Sequence, residues 1–208
     1  MNTLLKQMIP ASIIRHRLDF KKCILFTFDD GPHPVITPQV LDILDQYGAR
    51  GLFFIPSSRI VKSPELLKDI INRNHGIGNH SVTHTSCSDL SFSQIINEIN
   101  GCKDEIFSQC GIVTKHYRPP CGIITPSLLV AAWSTNHKIV RWSISSGEYD
   151  TMRNKTPREL ADKFLKTFHD RAIVLSHDDK DTTPEFLKFV LPKLMGEGYD
   201  LCSGLDSI

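Results

Sequence analysis

The sequence lacks an excess of either charge. Its 24 lysines and arginines meet 23 aspartates and glutamates, leaving a net charge of +1 over 208 residues. Proteins held on nucleic acid by bulk electrostatics carry a strongly basic face, so this balance argues against a nucleic-acid partner. It equally excludes an acidic tail. No apolar run approaches the roughly 18 residues of a membrane span, so no transmembrane segment is expected. Internal repeats, low-complexity stretches and linkers are missing, and at about 100–200 residues per domain the length suits one domain. The six cysteines, at positions 23, 87, 102, 110, 121 and 202, lack C-x-x-C spacing. Residues 1–20 scatter Lys6, Arg15, His16 and Arg17 among Leu and Ile, with no continuous apolar core and no small-residue cleavage site. The expectation is an N-terminal helical extension over residues 1–20, reduced thiols and a cytoplasmic location.

What the chain does have is alternation. Short apolar runs, at Cys23–Phe28, Gly51–Ile55, Gly76–Asn79, His116–Arg118, Lys138–Ile144, Ala172–Ser176 and Tyr199–Cys202, are closed by Gly, Pro or polar residues and predict strands. Between them lie helical patterns over Pro38–Tyr47, Ser63–Asn74, Ser91–Phe107, Pro126–Ser134, Thr156–His169 and Thr183–Met195, the last with a break or bend at Pro192. About seven strand-then-helix units imply an α/β fold with parallel strands covered by helices. The number favours a closed or nearly closed barrel over an open sheet.

Parallel α/β folds place active groups at the carboxyl ends of strands. The residues there are Asp29 and Asp30, His80 and His84, Arg118, Ser143 to Asp150, and His177 with Asp178. On a helical turn His80 and His84 would project from one face, a spacing that suits two ligands on one metal. An isolated pair of this kind is more often two surface histidines. Two adjacent carboxylates ending a buried strand alter the weighing. Their desolvation is steep unless they are paired or metal-bound, and an Asx turn with Gly31-Pro32 explains one Asp better than two. One carboxylate and two imidazoles make three protein ligands, leaving the open position of a catalytic zinc site. Zinc brings the pKa of water there toward about 7. The second carboxylate suits a general base, Arg118 would keep it ionised and oriented, and His177 suits a general acid.

Four strings carry a resemblance: Thr27-Phe28-Asp29-Asp30-Gly31-Pro32, Asn79-His80-Ser81-Val82-Thr83-His84, Arg118-Pro119-Pro120-Cys121-Gly122 and Val174-Leu175-Ser176-His177-Asp178. In this order and spacing the sequence resembles the polysaccharide deacetylase family, also called the NodB-homology or carbohydrate esterase 4 family. The resemblance implies a distorted, incomplete (β/α) barrel forming a catalytic domain over residues 21–208. It implies a metal-dependent hydrolase that removes N-acetyl groups from an amino sugar, so the partner is an N-acetylated glycan or glycan precursor. Carried over by position, Asp29 is the general base. Asp30, His80 and His84 hold a divalent metal, zinc first, with cobalt, nickel or manganese as alternatives. Arg118 orients the base and His177 is the general acid. The backbone N–H of Cys121 joins in stabilising the oxyanion, and Leu175 forms a pocket for the acetyl methyl. Tyr149 is a candidate for stacking on a sugar ring or for packing its own loop.

The chain departs from the family at two places. Cys121 stands where the family often has an aromatic residue. In residues 142–150 Ser143 and Ser145 replace acids, and Tyr149 stands near the tryptophan position. An Asp there would raise the basicity of His177, so Glu148, Asp150 or Asp178 has to compensate. Two other functions stay open: a hydrolase of the same architecture acting on a non-sugar amide or imide, and a carbohydrate-binding protein with little turnover. His33 reads as a loop residue lining the cleft, and His75, His116, His137 and His169 as surface or capping residues. Trp142 reads as core.

Overall fold

The computed structural model describes residues 13–149 and 155–208. Six consecutive buried residues, Ile24–Asp29, form strand β2, and a strand buried on both faces needs a parallel neighbour on each side and helices beyond. It has them. Strand β3 (Gly51–Ile55) pairs with it on one side and β8 (Ala172–His177) on the other. With β1 (Ile14–Arg15), β4 (Gly76–Asn79), β5 (His116–Tyr117), β6 (Lys138–Val140) and β7 (Ile144–Ser145), the sheet runs in the order β1-β6-β5-β4-β3-β2-β8-β7, and every pair is parallel.

This sheet cannot be flat. From β6 to β7 there are six strand spacings, about 29 Å at 4.8 Å each. Yet Val140 and Ile144 are four residues apart, a reach of about 14 Å when fully extended. The sheet therefore curls until its two ends approach. Hydrogen bonds bear this out: Leu18 N donates to Arg171 O at 2.9 Å, Arg141 N to Arg15 O at 2.6 Å, and Ser143 N to Ile173 O at 3.0 Å. The result is the distorted, incomplete (β/α) barrel that the family resemblance implied, as one domain.

Strand periodicity then sorts the side chains. Ile24, Phe26 and Phe28 of β2, Phe53 and Ile55 of β3, and Ala172 and Val174 of β8 point outward, into the main core. The helices α1 (Ile36–Gln46), α6 (Pro157–Thr167) and α7 (Thr182–Gly196) cover them there. Leu25, Leu52, Phe54, Val140 and Ile173 point inward and fill the barrel. Two residues further along, the same inward face carries Thr27 and Asp29 on β2, and Leu175 and His177 on β8. Asp29 and His177 are direct partners in the β2–β8 register.

Several expectations need correction. The N-terminal helix is not borne out over its described part: Ile14–Arg15 forms an edge strand on β6, where β-branched Ile14 follows the buried Ile13. Residues 1–12 lie outside the described residues. The single strand expected over Lys138–Ile144 is two strands at different ends of the sheet. The last strand, Tyr199–Cys202, reduces to one bridge between Asp200 and Cys23, because Asp200 Oδ1 accepts from the N–H groups of Cys202 and Ser203 and bends the chain away. Helix α7 runs through Pro192 to Gly196.

His75 and His137 are buried rather than at the surface. His75 Nδ1 accepts from Gly51 N at 3.1 Å, and its ring lies edge-on to Phe53. Burial pushes both imidazoles down to about 4. Between there and the ordinary histidine value near 6.5, the unfolded chain binds more protons than the folded one, so stability falls as pH falls through that window. The urea midpoint should drop on going from pH 6.5 to 4, with a shallower slope in His75→Gln and in His137→Gln. Equal slopes in wild type and both variants would remove these histidines as a cause.

Candidate active site

At the carboxyl end of β2, Asp29 continues the inward face while Asp30 turns the chain with φ of 70°. Arg118 follows β5 and is fully buried. Its Nη1 donates to Asp29 Oδ1 and to Thr27 Oγ1, both at 2.7 Å, and its Nε donates to Val140 O at 3.0 Å. The guanidinium stacks 4.2 Å from the Phe54 ring centroid and 5.6 Å from that of Trp142. One carboxylate oxygen of Asp29 is thus fixed. The other, Oδ2, lies 3.8 Å from His80 Nε2.

His80 and His84 meet without the helical turn that their spacing suggested. Residues 80–85 form no helix, and Ser81 and His84 both adopt left-handed backbone, φ 71° and 60°. Local polar groups hold this shape: Ser81 N donates to Asn79 Oδ1, and His84 N to Ser81 Oγ. Glu98 of α4 (Phe92–Cys110) accepts from Val82 N and Thr83 N at 2.8 Å and from Thr83 Oγ1 at 2.9 Å. Glu98 carries no local sequence signal, because it reaches the loop from a separate element.

His80 Nδ1 lies 2.8 Å from Arg118 O. A carbonyl can only accept, so Nδ1 carries a proton and Nε2 is the ring atom that faces the acids. Asp30 Oδ1 is 3.5 Å from His80 Nε2 and 3.0 Å from His84 Nε2. All three donor atoms lie within 4.8 Å of one another. Donors about 2.1 Å from one tetrahedral zinc stand about 3.4 Å apart, so the set fits such an ion in type and spacing. Burial alone would raise the Asp30 carboxyl, but hydrogen bonds from His80 and His84 outweigh it and hold Asp30 well below the usual carboxylate range. Asp30 in turn raises His84.

Across the floor, His177 Nδ1 is 3.2 Å from Glu148 Oε1. Burial would lower this imidazole, but the bond to Glu148 and the charge of Asp29 raise it. Glu148 is itself buried, and Ser176 Oγ and Ser146 Oγ donate to its two oxygens. Of the three acids considered for support of His177, Glu148 is the one in contact. Asp178 bonds Thr37 instead, and Asp150 lies outside the described residues. Ser143 and Ser145 accept backbone N–H bonds from Ile173 and Gly147, so their hydroxyls serve the local backbone.

A cavity of about 300 Å³ opens over these groups, walled by Cys121, Gly122, Trp142, Tyr149 and Leu175. Trp142 is therefore wall rather than core. Cys121 is exposed, with φ 57°, in the tight turn Pro120–Gly122. A Cβ on Gly122 would come within 2.4 Å of the Trp142 ring, so glycine is needed for that close approach. The Tyr149 ring stands edge-on to His177, centroids 4.2 Å apart, and its hydroxyl donates to Asp30 Oδ2 at 3.3 Å. His33 does not line the cavity. Its Nδ1 accepts from the N–H groups of Val35 and Ile36 and caps α1.

The polysaccharide deacetylase family profile matches residues 18–140. The chain belongs to this family. It is similar to the peptidoglycan-N-acetylglucosamine deacetylase of Bacillus cereus, 34% identical over 86% of this chain and 84% of that protein. It is also similar to the chitooligosaccharide deacetylase of a Bradyrhizobium species, 27% identical over 94% of this chain and 96% of that one. Among solved structures, the peptidoglycan deacetylase PdaC from Bacillus subtilis superimposes with a TM-score of 0.80 at 28% identity, covering 88% of this chain and 87% of PdaC.

If Asp30, His80 and His84 form one donor set, His80→Ala and His84→Ala each weaken zinc binding, while His75→Ala, on the outer side of the sheet, leaves it unchanged. Zinc titration against a chromophoric chelator measures this, and equal losses at all three positions would undo the grouping.

Proposed function

We propose that this chain hydrolyses the N-acetyl group of an N-acetylamino sugar within a glycan, using a divalent cation held by Asp30, His80 and His84, zinc first. The observation that carries the reading is the Asp29–His177 register pair, which puts a carboxylate and an imidazole side by side in the cavity that the donor set also lines. Family membership supports it, as do relatives named for peptidoglycan and chitooligosaccharide deacetylation.

When bound, the cation would polarise the acetyl carbonyl and acidify water. The chain's own groups do the rest. Asp29, held in place by Arg118 through Oδ1, accepts the proton of the attacking water at Oδ2. The turn at Cys121 offers its backbone N–H to the oxyanion. His177, raised by Glu148, arrives protonated and delivers that proton to the leaving amine. Glu148 fills the place of the missing acids because its extra methylene lets it reach His177 from the loop after β7. Leu175 faces the acetyl methyl, and Tyr149 and Trp142 offer aromatic surface to the sugar.

Purified protein should release acetate from N-acetylated oligosaccharides, and a chelator should abolish the release. Asp29→Asn should lower kcat by about 10²- to 10⁴-fold, the range of a general base, with zinc affinity retained. Undiminished turnover in Asp29→Asn would take the base role from it. Zinc binding without acetate release on a broad glycan panel would favour a carbohydrate-binding protein, and turnover on imides alone would favour the amide hydrolase.

The Glu148–His177 contact gives a separate test. A general acid works only while protonated, and Glu148 raises the pH at which His177 loses its proton. In Glu148→Gln the alkaline limb of the kcat–pH profile should therefore move to lower pH. A limb that stays in place would disconnect Glu148 from the acid.

A further inference from the structure

One buried carboxyl at the mouth of the barrel takes no part in the chemistry above. Asp178 follows His177 and, by strand alternation, points away from the cavity. It is 1% exposed. Its Oδ2 accepts from Thr37 Oγ1 at 2.5 Å, and Thr37 Oγ1 accepts from His33 N at 2.7 Å. Thr37 is itself fully buried, at the start of α1. On its other side the carboxyl lies against Gly31: a Cβ there would fall 2.0–2.3 Å from the three carboxyl atoms. The segment from Gly31 to Thr37 is therefore gripped at both ends by the side chain of Asp178, the residue that follows β8.

That segment leads straight out of Asp30, whose φ of 70° is a conformation that persists only where the surroundings hold it. Resting on the metal-site reading above, we infer that Asp178 is a positioning residue for Asp30. It pins the turn after Asp30 to the end of β8 and so sets the Asp30 carboxylate opposite His80 and His84. The β8 end then supports both halves of the site, His177 by its own ring and Asp30 through the neighbouring side chain. Gly31 is required by the same contact: its φ is not left-handed, and the carboxyl occupies the space that a methyl would take.

Competitive zinc titration of the full chain against a chromophoric chelator tests this. Asp178→Ala should bind zinc about 10- to 100-fold more weakly, the usual cost of losing a group that orients a ligand. Asp178→Asn, with the same shape and an oxygen for Thr37, should stay close to wild type. Gly31→Ala should weaken binding strongly in the wild-type background and much less beside Asp178→Ala, where the space has opened. Wild-type affinity in Asp178→Ala, even with a lowered melting temperature, would overturn the inference; so would a Gly31→Ala effect that is the same in both backgrounds. If Asp178→Ala does not fold, Thr37→Val against Thr37→Ser decides: affinity lost in the first and kept in the second supports the clamp, and equal affinities overturn it. A wild-type chain without zinc affinity would overturn the metal-site reading itself, an outcome distinct from failure of the clamp alone.

Discussion

Arg118 carries a permanent charge into the barrel, where each isolated ion costs several kcal/mol to desolvate. Through Nη1 and Nε the charge meets the Asp29 carboxylate, the Thr27 hydroxyl and the Val140 carbonyl, and the faces of Phe54 and Trp142 flank it, while Nη2 is buried without a hydrogen-bond partner among the described residues. These partners come from β2, β3, β6 and the segment after β6. Removing either ion would strand the other in a low-dielectric interior, so the pair ties strand register to the orientation of Asp29. Its backbone adds a second link, because the Arg118 carbonyl accepts from His80 Nδ1 and so turns Nε2 toward the acids. One residue thus orients both a carboxylate and an imidazole of the cavity floor.

The remaining ionisable groups follow the same rule of local pairing. Asp30 stays ionised through two imidazoles, and His177 gains protons through Glu148, although burial alone would push each the other way. The cavity therefore keeps a carboxylate and an imidazole as separate groups on neighbouring strands. A reaction that takes a proton from water and gives one to an amine needs that separation.

Much of this was legible in the chain itself. Compact apolar runs closed by breakers located β2, β3, β4 and β8 within a residue or so, because doubly buried strands admit little else. The polar residue after each run then named Asp29, Asp30, His80, His84, Arg118 and His177, all of which the fold brings together. What the sequence hid is non-local. The break between β6 and β7 depends on where the barrel closes, and no pattern in residues 138–144 marks it. The loop joining His80 to His84 depends on a carboxylate from α4, so helical spacing was the wrong local guess. Buried His75 and His137 look in sequence like any surface imidazole, since their burial is set by the β3 edge and by the β5 side of the sheet.

The short link from Val140 to Ile144 has a consequence for how the chain assembles. Closing a ring of strands usually means bringing together remote segments and losing the entropy of a long loop, which grows with the logarithm of its length. Here three residues span the gap, so once the strand bearing Ile139 and the strand bearing Val174 stand in register with β2, the seam is a neighbourly event along the chain. The expensive encounters are those of residues 24–29 with 172–177, 148 residues apart in a chain of 208, and Asp29 and His177 are delivered by that same meeting.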